Sequence, residues 1–110
     1  MDLNMDNILG KMMEMQQKLA EVQENLKHKT VTAEAGGGMV KVTANGLRQI
    51  VSITIDPEVV NPEEIDLLED LVVAGVNKAL AEAEAMAQQE MARATAGFMP
   101  PGFPSGQAGA

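Results

Sequence analysis

Two short runs in the middle of the chain alternate apolar and polar residues with the period of a β-strand. In 40–44 and again in 51–55, every second residue is apolar, as in strands with one buried face. Asn45 and Gly46 lie between the runs. This pair favours a type I′ hairpin turn, because both central positions of that turn need positive φ. The second run ends before Pro57, since proline cannot donate to a β-ladder.

A third strand is predicted immediately before this hairpin. Residues 30–35 also alternate, and the glycine triplet 36–38 separates them from the next run. The triplet lacks the lysine and hydroxyl of a phosphate-binding loop and is followed by a strand rather than a helix. We interpret it as a turn, which gives a three-stranded antiparallel meander.

The N-terminal segment has the period of a helix that packs on another helix. Its apolar residues recur at alternating spacings of three and four: Met5, Ile8, Met12, Met15, Leu19, Val22 and Leu26. The pattern predicts a helix over about 4–28, ending where Lys27, His28 and Lys29 favour the negative end of the helix dipole. Such a helix is roughly 37 Å long at about 1.5 Å per residue, so part of it is expected to project beyond the sheet.

A second long helix is predicted from Pro62 to about Ala94. Asn61 suits the N-cap, Pro62 suits the first helical position, and acidic residues follow in the first turn. The first half has a broad apolar face for covering a sheet: Ile65, Leu68, Leu71, Val72, Val76 and Leu80. Gly75 lies inside this helix, where it costs about 1 kcal/mol unless close packing compensates.

Glycine and proline dominate residues 97–110. This composition predicts a flexible tail after a single α+β domain at 1–96. Phe98, Met99 and Phe103 could contact a partner, and the alternative is a disordered end with stray apolar residues.

Both phenylalanines lie in that tail and are the only aromatic residues, so the core must be aliphatic. Such a core is thin for a small domain, and a meander has two edges to cover. We therefore expect the protein to oligomerise, with the sheet as the platform. The predicted interface residues are Val40, Val42, Val51, Ile53 and Ile55.

No arrangement of residues suggests catalysis. The single histidine, His28, has no nucleophile beside it, and the acidic residues of 63–70 do not have the spacing of a metal-binding loop. The chain has no cysteine, no apolar run near the ~20 residues of a membrane span and no signal-peptide pattern. We expect a soluble intracellular protein that is not an enzyme and needs no metal or cofactor.

The net charge of −8 is unevenly distributed. Residues 1–50 carry six basic and six acidic side chains, whereas 51–110 carry two basic and ten acidic ones. Lys11 and Lys18 are seven residues apart, on one side of the first helix, and Lys29 roughly continues this row. In a dimer, two such rows could contact DNA phosphates. Alternatively, these lysines only solvate the helix and pair with its glutamates Glu14, Glu21 and Glu24.

Several segments together resemble the YbaB/EbfC family of bacterial nucleoid-associated proteins. They are the methionine-rich first helix, GGGMVKVTANG at 36–46, IDPEVV at 55–60, LEDLVVAGVNKAL at 68–80, and the late residues Thr95-Ala96-Gly97 and Pro101-Gly102. The resemblance implies a helix, a three-stranded antiparallel sheet and a long helix. It also implies a dimer with helices projecting like the arms of tweezers, which binds duplex DNA with weak sequence preference.

The residues and the resemblance together predict a homodimeric DNA-binding protein of the nucleoid. The residues expected to contact phosphates are Lys11, Lys18, Lys27, Lys29 and Arg93. The other hypothesis is a protein-interaction module, in which the helical arms hold a partner from replication, repair or translation without binding DNA. Exposure of Met12, Met15 and Leu19 would favour that second hypothesis.

Overall fold

The computed structural model describes residues 5–96, so the predicted tail at 97–110 lies outside the described residues. The elements are α1 (Met5–His28), β1 (Thr30–Ala35), β2 (Val40–Asn45), β3 (Ile50–Ile55), two short 3-10 turns (Pro57–Val59 and Pro62–Glu64) and α2 (Ile65–Thr95). The predicted α+β order of helix, antiparallel meander and helix is confirmed.

The strands form one antiparallel sheet in the order β1-β2-β3. Val42, in the central strand, lies opposite Ala33 on one side and Ile53 on the other. The pairing of β2 with β3 shifts between Thr43 and Ala44. This irregularity leaves Val51 without a partner in the ladder and brings Ile50 opposite Ala44.

The β2–β3 hairpin is present, but the predicted type I′ turn is wrong. Among the described non-glycine residues only Arg48 has positive φ, at 62°, and Gly46 does not have it either. The backbone oxygen of Asn45 accepts a hydrogen bond from the Arg48 N–H at 2.9 Å. Its side-chain Oδ1 accepts from the N–H groups of Leu47 and Gln49, at 2.9 and 3.1 Å. Asn45 therefore organises a longer turn through its side chain.

Gly46 is needed for a different reason, which is its contact with the end of α1. Its N–H donates to the backbone oxygens of Leu26, at 2.8 Å, and Lys29, at 3.0 Å. A Cβ atom at Gly46 would lie 2.8 Å from Leu26 Cβ and 2.9 Å from the Leu26 oxygen. The missing side chain thus lets the hairpin approach the helix closely.

The core lies between α2 and the strands β1 and β2. Its buried members are Ala33, Val40, Val42, Ala44, Ala79 and Ala83. Gly75 is buried here, and a Cβ atom on it would lie 2.9 Å from Val42 Cγ2. Close packing of α2 on the sheet therefore compensates for the cost of a glycine inside the helix.

This core corrects part of the predicted dimer interface. Val40 and Val42 have no solvent exposure within a single chain. Because α2 already covers them, they have no surface left to offer a second copy. They are core residues instead.

The start of α2 follows the prediction with one refinement. The side chain of Asn61 accepts a hydrogen bond from the Glu63 N–H at 3.0 Å. Asn61 thereby caps a 3-10 turn that begins at Pro62 and leads directly into the α-helix at Ile65.

α1 packs on α2 through its C-terminal half. Val22 and Leu26 are buried and Leu19 is half-buried, whereas Met12 and the apolar residues before it are exposed. Within 5–96, no helix is both long and apolar enough to cross a membrane.

Candidate nucleic-acid interface

Lys11 and Lys18 lie on the same side of α1, and Lys29 follows directly after its last residue. At about 100° per residue, the seven-residue spacing rotates Lys18 only about 20° from Lys11. The helix rises about 1.5 Å per residue, so Lys11 is roughly 25 Å from the C-terminal end of α1. All three lysines are exposed, and we call them the lysine row.

A shallow cleft between α1 and α2 brings the row next to the second helix. The cleft has a volume of about 190 Å³ and is lined by Lys18, Glu21, Val22, Asn25, Glu90, Arg93 and Ala94. Two of the predicted phosphate ligands, Lys18 of α1 and Arg93 of α2, therefore share one cleft.

Glu90 lies among these cations and binds two of them. Its Oε2 atom is 2.6 Å from Lys29 Nζ and 3.2 Å from Arg93 Nη1. The hydrogen bond from Lys29 is the largest cause of a lowered Glu90 pKa, and the positive charges of Lys29 and Arg93 act in the same direction against the opposing effect of desolvation. The Glu90 side chain is only 21% exposed, compared with 67% for Arg93. Lys29 and Arg93 are thus partly neutralised by an ionised carboxylate.

The remaining lysine of the predicted set, Lys27, lies elsewhere. It is nine residues after Lys18, which at about 100° per residue places it on the opposite side of α1. A duplex lying along the lysine row would face away from Lys27.

The glutamates of α1 do not hold these lysines. Within the described part of the chain, no ion pair joins Lys11, Lys18 or Lys27 to a carboxylate, and Glu24 is 3.2 Å from His28 Nε2 instead. The positive charges of Lys11 and Lys18 are therefore available to an external anion.

Sequence reasoning missed the acidic residues of α2 that oppose the cations. Glu90 holds Lys29 across 61 positions of sequence, and Glu84 lies 3.8 Å from Arg48 of the β2–β3 turn. The excess of acidic residues after residue 50 was the available signal. Their partners became visible only in the packed structure.

β3 carries the accessible part of the predicted dimer interface. α2 lies over β1 and β2, and among the predicted residues Val51 and Ile53 are exposed while Ile55 is half-buried. Ile50 is exposed as well and was missed, because strict alternation over 51–55 would place it with the polar residues. The irregular pairing with β2 places it opposite Ala44, on the same face as Ile53.

No metal centre accompanies these features in the part of the chain that the structure describes. Within 5–96, no three histidine, aspartate or glutamate side chains are placed to hold a metal ion.

Comparisons with known proteins agree with the fold and the resemblance. The profile of the YbaB/EbfC DNA-binding family matches residues 1–98. Nucleoid-associated protein TTE0040 of Caldanaerobacter subterraneus subsp. tengcongensis is 48% identical over 100 residues, covering 91% of this chain and 90% of the relative. A nucleoid-associated protein of Moorella thermoacetica is 47% identical over 100 residues, covering 91% and 96%.

A solved structure has the same fold. The uncharacterized protein HP0035 from Helicobacter pylori superposes with a TM-score of 0.70 at 23% identity, covering 80% of this chain and 92% of that one. The family profile and the relatives together identify the chain, which belongs to the YbaB/EbfC DNA-binding family.

Proposed function

We propose that this protein is a nucleoid-associated protein of the cytoplasm that binds duplex DNA as a homodimer, with low sequence specificity. Membership of a DNA-binding family and the names of its relatives support this role. The observation that carries the proposal is the lysine row on α1, with Arg93 beside it in the same cleft.

Phosphate contacts supply most of the affinity in this proposal. Lys11 and Lys18 are exposed and carry no ion pair within 5–96, so they bind phosphates without giving up an internal partner. Lys29 and Arg93 contribute once phosphate displaces Glu90 from them. Lys27 is the weakest member of the predicted set because it lies on the other side of the helix.

Low sequence specificity follows from the kinds of side chain that are available to contact DNA. Phosphate contacts fix the position of a protein on DNA but carry no sequence information. Both aromatic residues lie beyond position 96, so the described domain has no aromatic side chain to stack on bases or to wedge between base steps. Modulation of nucleoid organisation and gene expression would follow from many weakly selective contacts.

The homodimer rests on the uncovered face of β3. Ile50, Val51 and Ile53 are exposed apolar residues on an edge strand, and edge strands of this kind pair or are covered in stable proteins. Two copies joined there would present two lysine rows to one duplex. The dimer therefore doubles the number of phosphate contacts.

Salt dependence tests the proposal directly. If about three or four cations per protomer engage phosphates, the log–log slope of affinity against salt is expected near −5 to −7, at roughly −0.9 per phosphate. Fluorescence anisotropy with two duplexes of unrelated sequence, from low to physiological salt, measures the slope and the selectivity together. Binding that is indifferent to salt, or strongly selective between the duplexes, would refute the proposal.

A protein-interaction role is the second candidate, and the exposed start of α1 favours it. Met12 is 56% exposed and the apolar residues before it are exposed as well, whereas Met15 and Leu19 are half-buried. Retention of a partner from lysate after nuclease treatment, by a protein that does not bind purified DNA, would favour this role. Capture that disappears with nuclease would favour direct DNA binding.

A further inference from the structure

The N-terminal half of α1 carries an apolar stripe that no described residue covers. Its members are Met5, Ile8, Leu9, Met12 and Met13, which are 43% to 68% exposed. Further along the same helix, Val22 and Leu26 are buried against the rest of the domain. The same apolar face of α1 is thus buried in its C-terminal half and exposed to solvent in its N-terminal half. Large exposed apolar patches of this kind mark interaction sites.

The position at which α2 ends explains why the N-terminal half of α1 is left uncovered. Lys29 contacts Glu90, while Lys18 and Val22 share the cleft with Arg93 and Ala94. The two helices are therefore antiparallel, and each step towards the end of α2 corresponds to a step back towards Met5. Since α2 ends at Thr95, no helix within 5–96 lies beside the part of α1 before Lys18, over a length of about 20 Å at 1.5 Å per residue.

The chain leaves α2 at this point with a segment suited to the stripe. Residues 97–104 read Gly-Phe-Met-Pro-Pro-Gly-Phe-Pro and contain both aromatic residues of the protein. Proline-rich segments favour the extended polyproline conformation, at about 3.1 Å per residue, so eight residues reach about 25 Å. The reach of this segment matches the length of the uncovered helix.

We propose that residues 97–104 lie along the apolar stripe of their own chain, with Phe98 and Phe103 packed on its methionine side chains. Thioether sulfur and aromatic rings attract each other, and the flexible methionine side chain adapts to an irregular partner. Because the segment is tethered next to the stripe, its effective concentration there is on the order of millimolar. A copy outside the same dimer cannot match that at micromolar concentration, and mixed samples test for a contact from the partner within the dimer. The proposal replaces the free tail expected from composition with a tail that covers α1.

A spin label on the tail tests the contact. The chain has no cysteine, so Ser105→Cys places a single nitroxide just beyond the segment. Methionine methyl groups labelled with ¹³C report its position by NMR in the full-length protein. We expect the signals of Met5, Met12 and Met13 to broaden, and that of Met39 in the β1–β2 turn to stay sharp.

A matched variant separates docking from chance proximity. Phe98→Ser with Phe103→Ser, in the same spin-labelled chain, is expected to abolish the broadening, while circular dichroism shows that the domain still folds. Broadening that persists without the aromatic rings would overturn the proposal, as would its absence in the parent protein.

Mixed samples test whether the contact lies within one chain. Spin-labelled, isotopically unlabelled protein is combined with protein that carries ¹³C-methionine and no spin label. The proposal expects no broadening in this mixture. Broadening here would mean that another copy covers the stripe, and the same-chain contact would be rejected.

Discussion

Val42 and Ile53 are opposite each other on neighbouring strands, yet Val42 has no solvent exposure and Ile53 is 41% exposed. Directly opposite residues project from the same face of a sheet. The difference therefore shows that α2 covers this face at β2 and leaves it open at β3.

Ile53→Lys is predicted to prevent dimer formation without unfolding the chain. A lysine on the open face of β3 stays solvated in a monomer but is costly to bury against a second copy. Sedimentation equilibrium over a range of concentrations measures the change. Ser52→Lys, on the other face of the same strand, is the control and is expected to remain dimeric. A dimeric Ile53→Lys protein would exclude this face as the interface.

Gly75→Ala is predicted to destabilise the domain. The new Cβ would lie 2.9 Å from Val42 Cγ2, and such overpacking costs about 1–3 kcal/mol. The helix propensity of alanine returns about 1 kcal/mol, so the stability measured by urea unfolding is expected to fall by about 1 kcal/mol.

Gly10→Ala is the matched change for Gly75→Ala. Gly10 also lies in a helix, but nothing is within 4 Å of its added Cβ. The Gly10→Ala protein is expected to be as stable as the parent protein, or more stable by up to about 1 kcal/mol. Equal destabilisation by both substitutions would show that close packing at Gly75 is not the cause.

Glu90→Gln is predicted to strengthen DNA binding. The amide has no negative charge to hold Lys29 and Arg93, so both cations become available to phosphates. The salt dependence should steepen by roughly 0.9 for each additional phosphate that is bound. Glu84→Gln serves as the control, because its partner Arg48 lies in the β2–β3 turn, at 3.8 Å. If Glu90→Gln binds DNA as the parent protein does, Lys29 and Arg93 do not contact the DNA phosphates.

The lowered pKa of Glu90 also predicts a pH dependence of stability. A carboxyl group whose pKa is lower in the folded protein contributes stability above its ordinary pKa, and this contribution disappears as pH falls through the lowered value. The unfolding free energies of the parent and Glu90→Gln proteins should therefore differ near neutral pH and converge in acid. Urea unfolding from neutral pH into acid measures the free energy of unfolding of each protein. A difference that persists below the lowered pKa would contradict the assignment.

Lys18→Ala is predicted to weaken DNA binding more than Lys27→Ala does. Lys18 belongs to the lysine row and lines the cleft with Arg93, whereas Lys27 lies on the opposite side of α1. The two substitutions remove the same charge from the same helix, so long-range electrostatics are nearly matched. Both protomers of the dimer carry the substitution, so a lysine that binds one phosphate should, when replaced, make the salt slope shallower by roughly 1.8, at roughly 0.9 per phosphate. Equal effects would indicate that net charge, rather than the row, governs binding.

The order and type of the elements were predictable from the sequence because their signals are local. Alternation over 40–44 and 51–55, the glycine triplet and the Asn61-Pro62 start of a helix each depend on neighbouring residues. That Lys11 and Lys18 share one side of the first helix also followed from helical periodicity alone. Their proposed role depends in addition on the family.

Tertiary structure decided the features that join distant residues. Val40 and Val42 were expected at a dimer interface, but α2 already covers this apolar face of the sheet, mainly over β1 and β2. Gly46 was expected to supply positive φ, and it instead lets the hairpin touch Leu26. Glu90 meets Lys29 only because α1 and α2 pack side by side. Local pattern determines which face of an element is apolar, whereas packing determines which neighbour covers it.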